Sequence, residues 1–366
     1  MPDITINVIK IFVLGAVSFI LAFWFAPILT HFLYKYKLWR KEVRTKSIDG
    51  REVPFFRKFH GKEETKIPRF GGLLIWTATL ILAFFFFFLS KISDIFWIDK
   101  LNFLSRSQTW LPLFALVAAS LVGLVDDILQ VFGRFPKIFF QKIWEKKKQY
   151  IAGGLRLRHR LILVALIGLI GGLWFYYKLG YVTIHVPGNG DFLIGALYIP
   201  FFVLVMLATY SGGVIDGLDG LAGGAFAVIF GAFAGIALFN GQIDLAAFCT
   251  VVNGAILAFL WFNIPPARFY MGETGMMGLC AALTVVAFLT DSVLVLPIIG
   301  FLLVIESGSV ILQLLSKKFL AKKLFLASPI HHHFEAKGWP HYKITMRFWV
   351  IGVFMAIIGV AIRLLG

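Results

Sequence analysis

The chain has 366 residues, 59% of them hydrophobic and only 15% charged, with a mean hydropathy of +0.86. Soluble domains carry about a quarter charged residues, so a soluble fold of this size would leave too much apolar surface in water, and lipid must solvate much of it. The formal charge of +16 could serve nucleic acid or a membrane topology, and the positions of the cations decide between them.

In lipid every backbone N–H and C=O needs an internal partner, so only helices or a closed barrel can span. The apolar runs here are continuous and do not alternate, which predicts helices. Runs of about 17–25 apolar residues suffice to cross a bilayer. Ten are read, at about 8–33, 71–90, 109–125, 161–179, 192–209, 220–239, 245–262, 274–290, 292–315 and 348–365. The first has no clear cleavage site behind it and is too long for a signal core, so it is expected to be a retained helix. One polytopic domain over 1–366 is expected, with no soluble domain and no internal repeat.

The connection after span one is strongly basic and ends in Ile67-Pro-Arg-Phe-Gly-Gly72. Its acids, Asp49, Glu52, Glu63 and Glu64, read as ordinary loop charges. In span two, Phe84 to Phe88 read as lipid-facing filler. Span three ends in Asp126-Asp127. Adjacent helical residues point about 100° apart, so one is expected to face a site and the other to support it; a pair of solvated acids is the plainer alternative. After span four, Tyr181 to Leu193 alternate β-formers around Pro-Gly-Asn-Gly, which predicts a small hairpin outside the membrane. Trp97, Trp110, Trp174, Tyr176, Tyr177 and Tyr181 are placed as an interfacial belt on that side.

Between spans five and six stands Val214-Ile-Asp-Gly-Leu-Asp-Gly-Leu-Ala-Gly-Gly224. A spacing of three puts Asp216 and Asp219 on one face where the sixth helix begins. Such a pair can hold Mg²⁺, bind a sugar hydroxyl or cap the helix. The glycines Gly217, Gly220, Gly223 and Gly224 allow close approach of a bulky polar ligand, or small-residue packing. Spans seven and eight hold the two cysteines, Cys249 and Cys280, read as small apolar residues with no disulfide. Between them, Asn263 could pair with a base edge, Tyr270 could stack on the base, and Glu273 could ligate a metal. In span nine, Glu306 beside Ser307, Gly308 and Ser309 predicts a bent helix with an internally satisfied carboxylate. The next connection carries His331, His332 and His333 in Pro-Ile-His-His-His-Phe-Glu. Three histidines can grip phosphate oxygens, bind a soft metal or shape a loop. Zinc would want spaced ligands, so phosphate or sugar contact is favoured.

All but six of the 35 Lys and Arg fall in the alternate connections 34–70, 126–160, 263–273 and 316–347, the alternate turn 210–219 holding none; the six are Lys10, Lys91, Lys100, Arg106, Lys178 and Arg363. This bias places those connections in the cytoplasm and both termini outside. The basic excess is therefore topology, with attraction for anionic lipid and phosphorylated substrates besides, and no nucleic acid is expected. Asp126, Asp127, Asp216, Asp219 and Glu273 all fall at cytoplasmic helix ends, and ionisable groups in or at spans mark function.

These residues resemble the polyprenyl-phosphate N-acetylhexosamine-1-phosphate transferase superfamily and, within it, the phospho-N-acetylmuramoyl-pentapeptide transferase family. The resemblance covers nearly the whole chain. Its most specific piece is Pro329-Ile-His-His-His-Phe-Glu-Ala-Lys-Gly-Trp339 with Arg347-Phe-Trp349; the Asp216 to Ala222 run and the Asp pair are superfamily features, and Ile67 to Gly72 is a worn Pro-Thr-Met-Gly-Gly segment. It implies a ten-helix membrane enzyme of the inner (cytoplasmic) membrane that joins UDP-MurNAc-pentapeptide to polyprenyl phosphate. UMP is released and lipid I forms for peptidoglycan synthesis. It further implies Mg²⁺ with Glu273 as its ligand, and homodimers occur in the family. Asp126 or Asp127 would orient or deprotonate the lipid phosphate, Asp216 and Asp219 would shape the nucleotide and metal site, Asn263 and Tyr270 would take the uracil, and the histidines would contact the sugar phosphate. The chain departs from the family at Tyr210 and Gly213, where the family has Asn, at Gln130, where it has Lys, and at Glu273, where it has Asp. Two rivals stand beside this reading: a transferase using UDP-GlcNAc, and a non-catalytic lipid transporter or scaffold on the same fold.

Overall fold

The computed structural model describes residues 2–41, 65–105, 107–132 and 154–366. Asp49, Glu52, Glu63 and Glu64, Arg106, and many of the cations of 34–70 and 126–160 lie outside the described residues. Nine helices among the described residues are long and apolar enough to cross a membrane, and the protein is a multi-pass, all-α membrane protein with one small sheet.

The chain runs α1 (Pro2–Lys35), α2 (Gly72–Ile92), the short α3 (Phe96–Leu101), α4 (Trp110–Phe132) and α5 (Leu157–Trp174), which closes on a π turn. Strands β1 (Thr183–Val186) and β2 (Gly190–Leu193) pair antiparallel, with Thr183 opposite Leu193 and Val186 opposite Gly190, so the expected hairpin is present. Then come α6 (Tyr198–Ser211), α7 (Leu221–Phe239), α8 (Ile243–Asn263), α9 (Gly272–Leu289), α10 (Leu296–Ile299), α11 (Phe301–Phe319), α12 (Ile330–Ala336) and α13 (His341–Leu365).

Helix α9 is the axis of the bundle. It is 94% buried along its span, against 22% for α13 and 28% for α1. A helix that is apolar or small all round belongs inside, and Gly275, Gly278, Cys280, Ala281 and Ala282 let its neighbours close in. Among them α4 packs most extensively along it. A Cβ at Gly123 would fall 2.2 Å from the Glu273 carbonyl oxygen, and one at Gly278 would fall 2.0 Å from Ser120 Oγ. Small residues are what bring helix backbones together in lipid. The pair α1 and α8 uses the same device, with Gly254 against the Gly15 carbonyl and Ser18 Oγ donating to Val251 O at 2.6 Å.

The two ends of the bundle differ. At one end Lys10 donates to Asp244 and to Asn102 O, Arg363 donates to Ser292 and Thr290 O, and His185 of the hairpin meets the Gly366 carbonyl at 2.9 Å. Both termini and the hairpin therefore share an end, and the polar centre described below lies at the other. Helix α9 finishes at the hairpin end and α13 starts at the opposite one, so α10 and α11 together make a further crossing.

That crossing corrects the reading of span nine. The interruption comes at Gly300, ahead of Glu306, and α11 is continuous through Glu306. Glu306, Ser309, Gln313 and Ser316 are buried on one face, while Val304, Ile311, Leu312 and Leu315 are exposed. Polarity is thus turned inward, as lipid on the outside requires. Gln313 accepts the Leu324 and Phe325 N–H groups, and Ser316 bonds Lys322 O, so this stripe holds the connection to α12. The aromatic run in α2 is likewise not all lipid-facing: consecutive residues wrap round a helix, and Phe86 is buried while Phe85 and Phe88 are exposed.

Gly123→Ala should lower the melting temperature in detergent, by the equivalent of about 1–3 kcal/mol, because backbone stands in the way. Gly235→Ala in α7, where a Cβ meets nothing within 4 Å, should stay within about 0.5 kcal/mol of the wild type.

Candidate active site

The site is assembled around the N-terminus of α9. Asp127, fully buried, reaches across from α4 and accepts the backbone N–H of Glu273 at 3.1 Å and of Thr274 at 2.9 Å. It caps α9 from another helix, because the first N–H groups of a helix lack intrahelical partners. Asp216 Oδ2 accepts Gly272 N–H at 3.3 Å. The Arg69 guanidinium lies close enough to interact with both carboxylates. Arg69 is carried by the Ile67–Gly72 segment, which pairs with the loop before α9 through Tyr270 N to Pro68 O, Gly71 N to Tyr270 O and Gly72 N to Met271 O, each 2.8 Å. Burial pushes the Asp216 carboxyl up to about 6, with Arg69 opposing.

Asp126 faces another way, as adjacent helical residues must. Its Oδ2 accepts Gln130 Nε2 at 2.6 Å, its Oδ1 accepts Leu155 N–H, and Arg160 Nη1 stands 3.7 Å away. The same Arg160 Nη1 is ion-paired with Glu273 Oε1, and Arg160 is hydrogen-bonded to Tyr210. Gln130 in turn accepts from buried Arg40, through Nε at 3.1 Å and through Nη2.

The structure corrects the placement of Asp216 and Asp219. Residues 216–220 form a turn, not the first turn of a helix, and α7 starts at Leu221 after Gly220 at φ +76°. The two carboxylates therefore diverge: Asp216 bonds to Gly272 N–H, while Asp219 Oδ2 accepts Ala267 N–H at 2.9 Å. The bulky groups that approach the glycines are the protein's own. A Cβ on Gly217 would lie 2.2 Å from His331 Nε2, and one on Gly224 would lie 2.0 Å from Trp349 Nε1. Trp349 also donates to Gly220 O at 3.2 Å.

The three histidines take different partners, although the rings of His331 and His332 lie 4.2 Å apart. His331 is fully buried, its Nδ1 is 2.9 Å from Glu306 Oε2, and its Nε2 has no bonding partner among the described residues and lies against the Gly217 turn. His332 pairs with Glu335, which also holds His341. His333 Nδ1 accepts Leu326 N–H at 3.2 Å and lines a separate cavity of about 370 Å³ with Lys323 and Lys337. Burial and then Lys337 hold its imidazole below the usual range. Asn263 is buried, with Oδ1 accepting Gly220 N–H at 3.0 Å and Nδ2 donating to Phe269 O at 2.9 Å, so its amide ties the 216–220 turn to the loop before α9. Tyr270 is half-buried on that loop.

Sequence reading missed Arg40, Arg69 and Arg160, which it grouped with the topological charges, and the pairing of Glu306 with His331. The signal for Glu306 was an ionisable residue inside a span.

The sequence model of glycosyl transferase family 4 matches residues 109–291, the stretch that holds α4 to α9 and most of this centre. Fold and family together define a multi-pass membrane phosphosugar transferase. The phospho-N-acetylmuramoyl-pentapeptide-transferase of Lactiplantibacillus plantarum is 34% identical over 306 residues, 83% of this chain and 86% of the relative. That of Anoxybacillus flavithermus is 35% identical over 309 residues, 84% and 86% of the two chains, and that of Geobacillus thermodenitrificans is 34% identical over 352 residues, 95% and 96%. The chain belongs to the phospho-N-acetylmuramoyl-pentapeptide-transferase family.

The raised value of Asp216 sets a pH-dependent cost. A carboxyl at about 6 when folded, against about 3.9 unfolded, stabilises only while protonated, and that contribution is lost as pH rises from about 4 through 6. Asp216→Asn should therefore melt above the wild type at pH 7.5, by the equivalent of about 1–3 kcal/mol, with the gap closing near pH 4. A lower melting temperature at pH 7.5 would contradict this.

Proposed function

We propose that this protein transfers phospho-MurNAc-pentapeptide from UDP-MurNAc-pentapeptide to a polyprenyl phosphate at the cytoplasmic face of the inner membrane, forming lipid I and releasing UMP. The observation that carries the reading is the convergence of Asp126, Asp216 and Glu273 with Arg69 and Arg160 at one end of the bundle, in a chain of this family. The cytoplasmic assignment rests on charge: Lys35, Lys37, Arg40, Lys41, Lys66 and Arg69 flank this end, and cations gather on the cytoplasmic side.

The donor atoms suit Mg²⁺. Glu273, Asp126 and Asp216 offer only oxygen, and a cation already bridges the space between Glu273 and Asp126 in the form of Arg160. Among the described residues no three His, Cys, Asp or Glu side chains form a metal cage. Mg²⁺ needs none, since it binds through one or two carboxylates and completes its shell with water and substrate phosphate. Bound at Glu273 with the donor pyrophosphate, it would neutralise the charge that develops on departing UMP.

In the reaction a lipid phosphate oxygen attacks the β-phosphorus of the donor, the bond from that phosphorus to the UMP oxygen breaks, and UMP leaves. One pyrophosphate bond replaces another, so the chain's residues act chiefly by position and charge. Asp126, at the Arg160 side of the centre, orients the lipid phosphate and takes its proton where one is present. Arg69 and Arg160 balance the phosphates. Asp216 lines the nucleotide side, and buried His331, held at Nδ1 by Glu306, backs the 216–220 turn that carries it. Tyr270 stacks on the uracil, and Asn263 and Asp219 keep its loop and the 216–220 turn in register. His332 stiffens the approach through Glu335, and the Lys323, His333 and Lys337 cavity receives anionic parts of the donor beyond the pyrophosphate.

Purified protein given undecaprenyl phosphate and Mg²⁺ should release UMP from UDP-MurNAc-pentapeptide and far less from UDP-GlcNAc. Glu273→Ala should lower that rate about 100-fold or more. Preference for UDP-GlcNAc, or an unchanged Glu273→Ala rate, would contradict the reading, and no release from either donor would favour the transporter or scaffold.

A further inference from the structure

Three of the positions at which the sequence departs from the motif pattern it resembles meet in one cluster. Arg160, at the start of α5, is ion-paired with Glu273 Oε1, stands 3.7 Å from Asp126 Oδ2 and is hydrogen-bonded to Tyr210. Gln130 bonds Asp126 on its other side and links it to Arg40. Glu273 is longer than the family's Asp by one methylene and reaches the guanidinium. Tyr210 supplies it with a hydroxyl, and Gln130 leaves Asp126 without a lysine ammonium four residues along α4. Arg160 Nε is buried and has no bonding partner among the described residues.

We propose that Arg160 is a built-in competitor of the metal, so that a divalent cation enters this site together with a diphosphate and not ahead of it. The inference rests on the reading of Glu273 as a metal ligand. A divalent cation bound at Glu273 alone either displaces the guanidinium or sits beside it. Displacement breaks a partly buried ion pair and strands a positive charge next to Tyr210, and coexistence places like charges together. Both weaken metal binding in the empty site. A nucleotide diphosphate changes the balance. Its oxygens accept from the released Nη1 and from Nε, which has no acceptor among the described residues, and guanidinium suits two-point phosphate contact. Metal and diphosphate then favour one another by more than their direct coordination, and linkage makes the effect reciprocal. Arg160 is in this sense a positioning residue for Glu273 in the empty state and a ligand of the donor in the filled one.

The test is Mn²⁺ binding to the full-length protein in detergent, read from the free-ion electron paramagnetic resonance signal, with Mn²⁺ alone and with Mn²⁺ plus UDP. Arg160→Gln should bind Mn²⁺ alone about tenfold more tightly than the wild type, and UDP should then tighten it much less. Arg160→Lys should keep the weak binding of the wild type, because the charge remains. Tyr210→Phe, which loses only a hydrogen bond to Arg160, should shift in the Arg160→Gln direction by a smaller factor, and it serves if Arg160→Gln does not fold. Glu273→Gln should abolish the tight Mn²⁺ signal in the Arg160→Gln background, which identifies the site. Mn²⁺ affinity that is unchanged or weaker in Arg160→Gln, or full retention of the UDP effect, overturns the proposal. The outcome is independent of turnover: a protein that transfers phosphosugar but shows no change in Mn²⁺ affinity refutes only the competition, and one that shows the change without transfer refutes only the assigned activity.

Discussion

The structure depends on how the N-terminus of α9 is satisfied inside the bundle. This helix is the axis of the molecule, and its first N–H groups open into a region with little water to bond them. A buried N–H without a partner costs about 1–3 kcal/mol. Asp127 meets two of them from α4, and Asp216 meets a third from the 216–220 turn. The arrangement is reachable only because Gly123 and Gly278 allow α4 and α9 to touch, and because Gly72 lacks a Cβ, which would fall 2.2 Å from Gly275 N. A fold constraint has thereby collected carboxylates at one place.

What remains after the cap is made is the set of carboxylates that Arg160 gathers. Asp126 is the neighbour that the cap does not use, and Glu273 is the first acidic side chain of the capped helix. Both look toward Arg160. The second half of the centre comes from polar groups turned inward by lipid on the outside. Glu306 on α11 sets His331, and His331 and Trp349 lie on the glycines of the 216–220 turn and the start of α7. The distant motifs at 216–224 and 329–349 are thus complementary surfaces, with glycine on one side and large rings on the other.

Much of this was legible in the sequence. Lipid imposes long apolar runs, so composition and run length gave the all-α membrane fold, the hairpin followed from its Pro-Gly-Asn-Gly turn, and acids at span ends marked the polar centre. The 100° step between Asp126 and Asp127 foretold that their carboxylates take different partners. Spacing failed at Asp216 and Asp219, because a helical reading assumes the helix has begun and Gly220 delays it. The histidines share one short helix but take different partners, because successive helical residues step about 100°. The arginines were hidden by number: in a chain with 35 Lys and Arg, most serving topology, nothing local separates Arg69 or Arg160 from the rest. Asn263 carries the residue type of a base reader, but the loop it closes uses both ends of its amide.

The most direct test of this account compares Asp126→Asn with Asp127→Asn for melting temperature in detergent and for UMP release. If Asp127 caps α9 and Asp126 serves the reaction, Asp127→Asn should lose both stability and turnover, since an amide N–H would then face the helix donors. Asp126→Asn, which leaves the helix N–H groups capped, should lose less stability than Asp127→Asn and should lose turnover. A destabilised Asp126→Asn beside a thermally unaltered Asp127→Asn would contradict the account.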